Sequence, residues 1–274
     1  MHDHGAQSGT QGALMESLDE GVLWLRLNRP RALNAIDRGL GERLIAAFDT
    51  ARRDPAVRAI VIIGTGRAFC AGDDMIALEA FLRGETAPED AAVDRHDGTA
   101  LYLRLAQAMI LCPKPVVAAV NGLAFGAGTE VLCAADIRCV ARSARIGSSL
   151  VNIAEVGNAA LLGAIVGSAR AFEIFVSGRA VDSAEALAIG LASYVLDDET
   201  FVHDVGALAR RLAKAPTQVI ALQKKLRNAC EGRSLVDRMA LQDEAHRVCY
   251  LEIEDAKEGA AAFLEKRPAQ FSGL

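Results

Sequence analysis

Residues 116–137 read VVAAVNGLAFGAGTEVLCAADI and combine three features that decide how this chain folds. An apolar run is followed by a glycine-rich turn, and then by a segment of small residues that carries Glu130 near its start. This order predicts a buried strand, a tight turn and a helix from about residue 128 to 135. Glycine-rich turns after strands often bind phosphate, but the carboxylate of Glu130 would repel a phosphate. The turn therefore needs another explanation.

Neither glycine turn of this chain matches a phosphate-binding motif. A phosphate loop requires Gly-x4-Gly-Lys-Ser/Thr, and the turn at 126–128 has no lysine. GAGTEV places Val131 where a dinucleotide fingerprint has its third glycine, and GTGRAF at 64–69 fails in the same way. A turn of this kind can instead direct backbone N–H groups at a carbonyl whose oxygen becomes negative during a reaction. The alternative is a turn that only packs a strand against a helix, with Glu130 at the positive end of the helix dipole.

A second stretch, AIVIIGTGRAFCAGDDM at residues 59–75, repeats the order of strand, glycine turn and polar segment. In a parallel sheet, two turns at the same ends of neighbouring strands converge on one point. Their N–H groups would form a cradle for a single carbonyl oxygen, with Glu130 as an acid or base beside it.

Strand-like and helix-like segments alternate through the first 200 residues, which predicts a mostly parallel sheet enclosed by helices. The predicted strands are 21–30, 58–64, 114–120 and 137–141, the first long helix is 36–55, and a helix ending at Gly190 precedes one more strand. After residue 200 only helical periods follow. We therefore expect a flexible tail at 1–16, an α/β core at 17–200 and a helical region at 201–274. The polar stretch 76–100 predicts either a mobile excursion near the mouth of a site or a plain surface loop.

Composition excludes several classes of function. The 30 Lys and Arg residues against 35 Asp and Glu give a net charge of −5, which disfavours a nucleic-acid surface. None of the six cysteines forms a Cys-x-x-Cys pair, which is typical of reduced thiols in the cytoplasm. No apolar run has the length of a membrane span, the N-terminus lacks the pattern of a signal peptide, and the scattered histidines predict no metal site.

Several motifs between about residues 20 and 272 resemble the crotonase (enoyl-CoA hydratase/isomerase) superfamily. AFCAGDDM resembles AFxAGxDL, and KPVVAAVNGLAFGAGTEVLCAADIRCVA resembles KPxIAAVxGxAxGGGxELxxxCDxxxA. RPRALNAI, SGRAVDSAEALAIGLASYVL and KEGAAAFLEKRPAQF match as well. The resemblance implies a crotonase/ClpP-like α/β spiral of ββα units, whose C-terminal helices form a homotrimer or a dimer of trimers. It also implies an acyl-CoA thioester substrate, with no cofactor besides the coenzyme A that the substrate carries.

The same resemblance implies roles for particular residues. The two oxyanion donors would be the N–H groups of Asp73 and Ala127, and Glu130 would be the catalytic carboxylate. Ala127 replaces the usual central glycine, so its N–H keeps this role only if the local backbone suits a residue with a Cβ. The residues expected to contact the substrate are Ala32, Leu33, Ala71, Asp74, Gly126, Leu150, Asn158, Phe263 and Lys266. Of these, the first three would line an adenine pocket, and Phe263 and Lys266 would come from a neighbouring subunit. Lys266 would offset the phosphate charge together with Arg29 and Arg31.

One departure from the family pattern bears on the chemistry. Hydratases of this family hold a water molecule between two glutamates, of which the first matches Glu130. The position of the second is Leu150, and the Pro-Gly-x-Gly-Gly turn that usually follows is replaced by residues 156–160, VGNAA. Leucine cannot transfer a proton, so the loss of one required group would slow ordinary hydration by roughly 10²–10⁴-fold.

Three interpretations remain open at this stage. In the first, Glu130 acts alone on an enolate, as in isomerisation, decarboxylation or a lyase reaction. VNIAEVGN faintly resembles the VNLGVPYN stretch of methylmalonyl-CoA decarboxylases, but Gly157 and Asp73 stand where those enzymes have a tyrosine and a histidine. Alternatively, Glu155 or Asp73 supplies the second acid, although a solvated loop carboxylate would also explain Glu155. Finally, the protein binds acyl-CoA without catalysis, which leaves the burial of Glu130 unexplained. We favour a cytoplasmic enzyme, and Leu150 suggests a bulky or branched acyl group.

Overall fold

The computed structural model describes residues 12–85, 95–96 and 99–273 of the chain, which form an α/β fold. In this part of the chain the strands are β1 (Leu14–Asp19), β2 (Val22–Leu27), β3 (Ala59–Gly64), β4 (Ala68–Cys70), β5 (Arg95–His96), β6 (Thr99–Ala100), β7 (Val116–Val120), β8 (Leu123–Phe125), β9 (Ile137–Ala141), β10 (Arg145–Gly147), β11 (Ala180–Asp182) and β12 (Tyr194–Leu196). The helices are α1 (Arg38–Ala51), α2 (Met75–Leu82), α3 (Leu101–Leu111), α4 (Ala127–Ala134), α5 (Ala160–Val166), α6 (Ser168–Ser177), α7 (Ser183–Ala188), α8 (Phe201–Ala213), α9 (Thr217–Ala229), α10 (Leu235–Glu252) and α11 (Glu254–Glu265). Two short 3₁₀ helices, Pro30–Ala32 and Leu150–Ile153, join them.

Two sheets organise the described core. The larger has the strand order β1-β2-β3-β7-β9-β12, with β1 antiparallel to β2 and the remaining pairs parallel. The smaller has the order β11-β10-β8-β4, in which only the β10–β11 pair is antiparallel. Every residue of β3 and of β7 is buried, as expected for parallel strands that are covered on both faces.

The chain repeats one unit, in which a strand of the larger sheet is followed by a strand of the smaller sheet and then by a helix. The units are β3-β4-α2, β7-β8-α4, and β9-β10 with the 3₁₀ helix Leu150–Ile153 and α5. This arrangement confirms the predicted spiral of ββα units. Periodicity alone did not indicate β4, β8 and β10, because strands of three residues are too short to show an alternating pattern.

Several predicted boundaries differ from the structure. β1 begins at Leu14, which is buried and pairs with Leu27, so the core begins within the segment predicted as a tail; residues 1–11 lie outside the described part. At the other end, α8 buries Phe201, Val205 and Ala209, and it packs against β3. The apolar stripe of α8 therefore belongs to the core, and the fold has no clean boundary at residue 200.

The polar stretch 76–100 is not entirely a loop. Its first part is helix α2, because the carboxylate of Asp74 accepts hydrogen bonds from the N–H groups of Ile76 and Ala77 and so caps the first turn. Arg83 also pairs with Glu79 one turn earlier. Residues 86–94 and 97–98 of this stretch lie outside the described residues.

A buried ion pair attaches the C-terminal helices to the core. Lys224 on α9 is 7% exposed, and its Nζ lies 2.6 Å from Asp136 Oδ2 and donates to the carbonyl groups of Met109 and Lys114. Asp136 Oδ2 also accepts the N–H of Val116, the first residue of β7.

Within the described residues, no helix has both the length and the apolar character needed to cross a membrane.

We predict that Lys224→Met destabilises the protein by about 3 kcal/mol, because it leaves the buried carboxylate of Asp136 without its closest cation. The loss is limited because Arg227 Nη1 still lies 3.0 Å from Asp136 Oδ1. Urea unfolding measures the change, and Lys225→Met, at the exposed neighbouring position, is the control and should change stability little. Equal stabilities of the two variants would contradict this role of Lys224.

Candidate active site

The pairing of β4 with β8 brings two loops together. The strands are parallel, with Ala68 opposite Leu123 and Cys70 opposite Ala124, so the loops that follow them leave the sheet at the same edge. A Cβ placed on Gly72 would lie 3.5 Å from the nitrogen of Ala127 and 3.6 Å from Cα of Gly126. The loop after β4 and the turn after β8 are therefore in contact, whereas the sequence pattern had suggested turns that follow the longer strands β3 and β7.

The backbone of Asp73 is oriented by a short parallel bridge to Ile36. The N–H of Ile36 donates to the carbonyl of Gly72 at 2.8 Å, and the N–H of Asp74 donates to the carbonyl of Ile36 at 3.1 Å. Since Ile36 bonds to the residues on either side of Asp73, the N–H of Asp73 points away from Ile36.

Gly126 takes the backbone conformation that a residue with a side chain would disfavour. Its φ is 52° and its ψ is −121°, whereas Ala127 has no positive φ and begins α4. The backbone at Ala127 thus suits a residue with a Cβ, which was the condition for its N–H to act as a donor. This N–H has no acceptor within the helix because it belongs to the first turn. A Cβ on Gly128 would overlap the carbonyl oxygen of Cys70, so this glycine allows α4 to approach β4.

Glu130 lies one turn into α4 and is only 6% exposed. Its Oε1 accepts the N–H of Asn158 at 2.8 Å. Burial raises the pKa of Glu130, and the hydrogen bonds from Asn158 oppose only part of this effect. A carboxyl group with a raised pKa, fixed in orientation, is suited to taking up and returning a proton.

Asn158 connects the parts of the site. It has a left-handed φ of 57°, its Nδ2 donates to the carbonyl of Gly126 at 3.0 Å, and its Oδ1 accepts from Ser148 Oγ at 2.9 Å. Asn158 was predicted to contact the substrate, but the structure commits the polar atoms of its side chain to protein partners. It orients Glu130 and the turn at Gly126, and a contact with substrate stays a prediction.

Leu150 is buried at the floor of the site. A Cβ on Gly126 would lie 3.3 Å from Leu150 Cδ2, and a Cβ on Gly157 would lie 2.8 Å from Leu150 Cδ1. Its side chain fills the space between the two glycines, and the site keeps Glu130 without a carboxylate at position 150.

The residues around Glu130 enclose a cavity of about 50 Å³. It is lined by Asp73, Tyr102, Gly126, Ala127, Glu130, Leu150, Glu155, Val156, Gly157 and Asn158. This volume is far below that of a typical ligand pocket, so an acyl group binds only if the walls move or the cavity extends outward. A larger groove of about 480 Å³ lies between α3, α9 and α10, but it lacks these glycine turns and Glu130.

The carboxylate of Asp73 titrates abnormally because of its surroundings. Burial is the largest cause, and the charge of Glu155, followed by that of Glu130, adds to it; together they raise the pKa of Asp73 to about 6 although its own N–H opposes the shift. Asp73, Glu130 and Glu155 line the same cavity, and the charges of the two glutamates act on Asp73. They do not form a metal-binding cluster, and the described residues contain none.

The remaining predicted residues fall into two groups. Leu33 and Ala71 are joined by a hydrogen bond of 3.0 Å from the Ala71 N–H to the Leu33 carbonyl, and Ala32 precedes Leu33 at the end of a 3₁₀ helix. Phe263 and Lys266 instead lie at the exposed end of α11 and do not line the cavity around Glu130.

Asp74 and Arg29 have structural partners. Arg29 Nη2 donates to Asp74 Oδ2 at 2.7 Å, and its Nη1 donates to the carbonyl of Ala35. Although burial acts to raise the pKa of Asp74, hydrogen bonds from Arg29 and from the N–H groups of Ala77 and Ile76 lower it overall. Asp74 caps α2 and holds Arg29, so its contact with a substrate stays a prediction.

Tyr102 was missed by the sequence analysis. It lies on α3 and lines the cavity. It shares a helix face with Leu105 and Met109, which are buried, since the three are spaced by three and four residues. An aromatic residue with a polar end on the apolar face of a helix was the available signal.

We predict opposite effects when each of two adjacent aspartates is replaced by asparagine. A folded-state pKa of about 6 in place of 3.8 means that ionised Asp73 destabilises the fold above pH 6, by up to roughly 3 kcal/mol. The pKa of Asp74 is lowered, so its ionised form stabilises the fold at neutral pH, and this stability is lost as the pH falls through its folded pKa.

Asp73→Asn should therefore raise the free energy of unfolding at pH 8 and raise it much less near pH 4, whereas Asp74→Asn should lower it at pH 8. Urea unfolding at both pH values and one protein concentration makes the comparison. A loss of stability at pH 8 in both variants would show that the charge on Asp73 is not destabilising.

Comparison with known proteins identifies the family. Residues 17–273 match the Enoyl-CoA hydratase/isomerase family. The chain is 33% identical to the 1,2-epoxyphenylacetyl-CoA isomerase of Escherichia coli (strain K12), over 95% of this chain and 98% of that protein, and 32% identical to the crotonyl-CoA hydratase of Syntrophomonas wolfei, over 92% and 95%. A crystal structure of an enoyl-CoA hydratase from Mycobacterium smegmatis superposes with a TM-score of 0.85 at 29% identity, over 95% of this chain and 99% of that chain. The chain therefore belongs to the enoyl-CoA hydratase/isomerase family of acyl-CoA enzymes, within the crotonase superfamily.

Proposed function

We propose that this protein binds an acyl-CoA thioester with the thioester oxygen between the N–H groups of Asp73 and Ala127, and that Glu130 transfers a proton at the α-carbon. The observation that carries the proposal is the contact between the loops after β4 and β8, with Glu130 one helical turn beyond Ala127 and on the same cavity.

The two amides would stabilise an enolate. Removal of a proton from the α-carbon moves negative charge onto the thioester oxygen, where the two N–H groups and the positive end of α4 favour it. Glu130 receives that proton and returns it, to the same carbon or to another carbon of the conjugated system. Its raised pKa and its hydrogen bond to Asn158 support this role, because the group is neither strongly acidic nor free to turn away.

Asp73 also lines the cavity that contains Glu130, so its carboxyl group bears on the proposed chemistry. The N–H of Asp73 lowers the pKa of this carboxyl group, so the carboxyl group interacts with one of the two proposed oxyanion donors. A negative carboxylate would oppose an enolate, so the neutral form of Asp73, favoured below about pH 6, suits the proposed chemistry.

Isomerisation is a second candidate reaction. The substitution at Leu150 supports it, because moving a double bond requires one proton shuttle and no water held between two carboxylates. The relative from Escherichia coli is also an isomerase by name, but of an epoxide. Hydration instead requires a second acid–base group in the cavity.

We predict that the protein exchanges the α-protons of phenylacetyl-CoA or butyryl-CoA with deuterium in heavy water, and that Glu130→Gln abolishes the exchange. Glutamine still accepts the Asn158 N–H but cannot take up a proton, so CoA affinity should change little. Mass spectrometry follows the exchange, and Glu231→Gln, on the exposed turn after α9, is the control. No exchange by the unaltered protein across a panel of acyl-CoA thioesters would support a binding protein without catalysis.

We also propose that the protein assembles as a homotrimer or a dimer of trimers. Supporting this, α10 has no buried residue in the single chain, and exposed apolar side chains occur along the C-terminal helices: Leu235, Val236, Met239, Tyr250, Leu251, Phe263 and Leu264. In an assembly, Phe263 and Lys266 would reach the CoA of a neighbouring subunit. Sedimentation should give a mass of three or six chains, and a monomer would contradict the proposal.

A cytoplasmic location belongs to the same proposal. The structure shows all six cysteines as free thiols, and four of them, Cys70, Cys112, Cys133 and Cys139, are buried. Reduced cysteines in an apolar core fit a reducing compartment.

A further inference from the structure

The missing carboxylate at position 150 raises the question of which group could serve instead. Leu150 begins the 3₁₀ helix Leu150–Ile153, and the chain then turns sharply. Ala154 has a left-handed φ of 57°, and the N–H of Glu155 donates to the carbonyl of Leu150 at 3.0 Å. This turn brings Glu155 back over Leu150, onto the wall of the cavity that contains Glu130.

The backbone in this region is unusual for its sequence. Ser149, Ala154 and Asn158 all have left-handed φ values, although none is a glycine. A left-handed φ is unfavourable for a residue other than glycine, and least so for Asn158. This loop thus has a specific backbone geometry, in which Glu155 lies between the left-handed residues Ala154 and Asn158.

Glu155 Oε2 is buried and has no hydrogen-bond partner among the described residues. A buried carboxylate oxygen without a donor is unfavourable, so this oxygen is suited to bind a donor that the protein does not supply. The cavity beside it, at about 50 Å³, has room for a water molecule. The charge of Glu155 also contributes to the raised pKa of Asp73, as expected if the two carboxyl groups face the same small space.

We infer that Glu155 is the second acid–base group of this site and that it holds the water molecule that adds to a 2-enoyl-CoA thioester. This inference rests on the proposed function, in which the two amides bind the thioester oxygen and Glu130 serves the α-carbon. It commits the site to hydration of an α,β-unsaturated thioester and places the group that activates water five residues after Leu150.

The reaction balances with the groups present. The water oxygen forms a bond to the β-carbon while Glu155 takes one of the water protons, and the electrons of the double bond move onto the thioester oxygen. The enolate then takes a proton from Glu130 at the α-carbon and the carbonyl forms again. After product release the proton on Glu155 returns to Glu130 through solvent. One water molecule is consumed, and nothing is oxidised or reduced.

Hydration and α-proton exchange should respond differently to replacement of Glu155. Crotonyl-CoA, 3-methylcrotonyl-CoA and cinnamoyl-CoA are suitable probes, with hydration followed by loss of the ultraviolet absorbance of the conjugated thioester. We expect the unaltered protein to hydrate at least one of them. Glu155→Gln should lower kcat for hydration by about 10²–10⁴-fold while phenylacetyl-CoA still exchanges its α-protons. Glu130→Gln should lose both activities, and Glu231→Gln should keep both.

A second variant separates chemistry from structure. Since Leu150 faces the same cavity, Leu150→Glu in the Glu155→Gln background should restore hydration. Hydration by Glu155→Gln at the unaltered rate, or exchange by the unaltered protein without hydration of any probe, would overturn the inference and leave the proposed function standing. A parallel loss of exchange, hydration and CoA affinity in Glu155→Gln, not recovered by Leu150→Glu, would assign Glu155 a structural role. Absence of exchange in the unaltered protein would instead overturn the proposed function.

Discussion

The site depends on the parallel pairing of two three-residue strands, β4 and β8. Their register brings the loop at Gly72 and the turn at Gly126 into contact, and every group discussed for the chemistry is placed relative to that contact. The packing of α4 against this pair of strands requires Gly128, because any side chain there would meet the backbone of Cys70 and push α4 away from β4. A glycine that does no chemistry therefore sets where Ala127 and Glu130 lie.

Two opposing effects act on the carboxyl groups around this contact. Burial disfavours charge on Glu130 and on Asp73, and hydrogen bonds oppose it only in part, so the pKa of both groups is raised. Asp74 is one residue further along, yet there the hydrogen bonds from Arg29 and from the first turn of α2 outweigh burial. The pKa values of these adjacent aspartates are thus shifted in opposite directions. Asp73 faces other carboxylates, whereas Asp74 faces a guanidinium group and a helix N-terminus.

Much of the fold was predictable from local patterns. The strand Ile137–Ala141 was predicted with its observed bounds, α4 within one residue, and the spiral of ββα units is confirmed. The errors occurred where local pattern and tertiary contact compete. The short strands show no periodic pattern, and the start of β1 depends on its pairing with β2. The sequence of α8 predicts part of a separate helical region, but in the structure its apolar face packs against β3. An aspartate at position 74 is a typical helix N-cap, but the polar residues that follow in the stretch 76–100 favoured a loop over the helix that Asp74 begins.

By itself, the sequence determined the family, the two glycine turns, Glu130 and the absence of a carboxylate at position 150, because these depend on residue identity and spacing along the chain. Only the tertiary structure decided that Asn158 orients Glu130, that Ala127 escapes the strained conformation of Gly126, and that Glu155 lies on the cavity with a buried oxygen lacking a partner. Each of these depends on contacts between segments far apart in sequence or on the sign of a backbone angle. Burial and hydrogen bonding across the fold determine these contacts and these backbone angles, and the spacing of residues along the chain does not encode them.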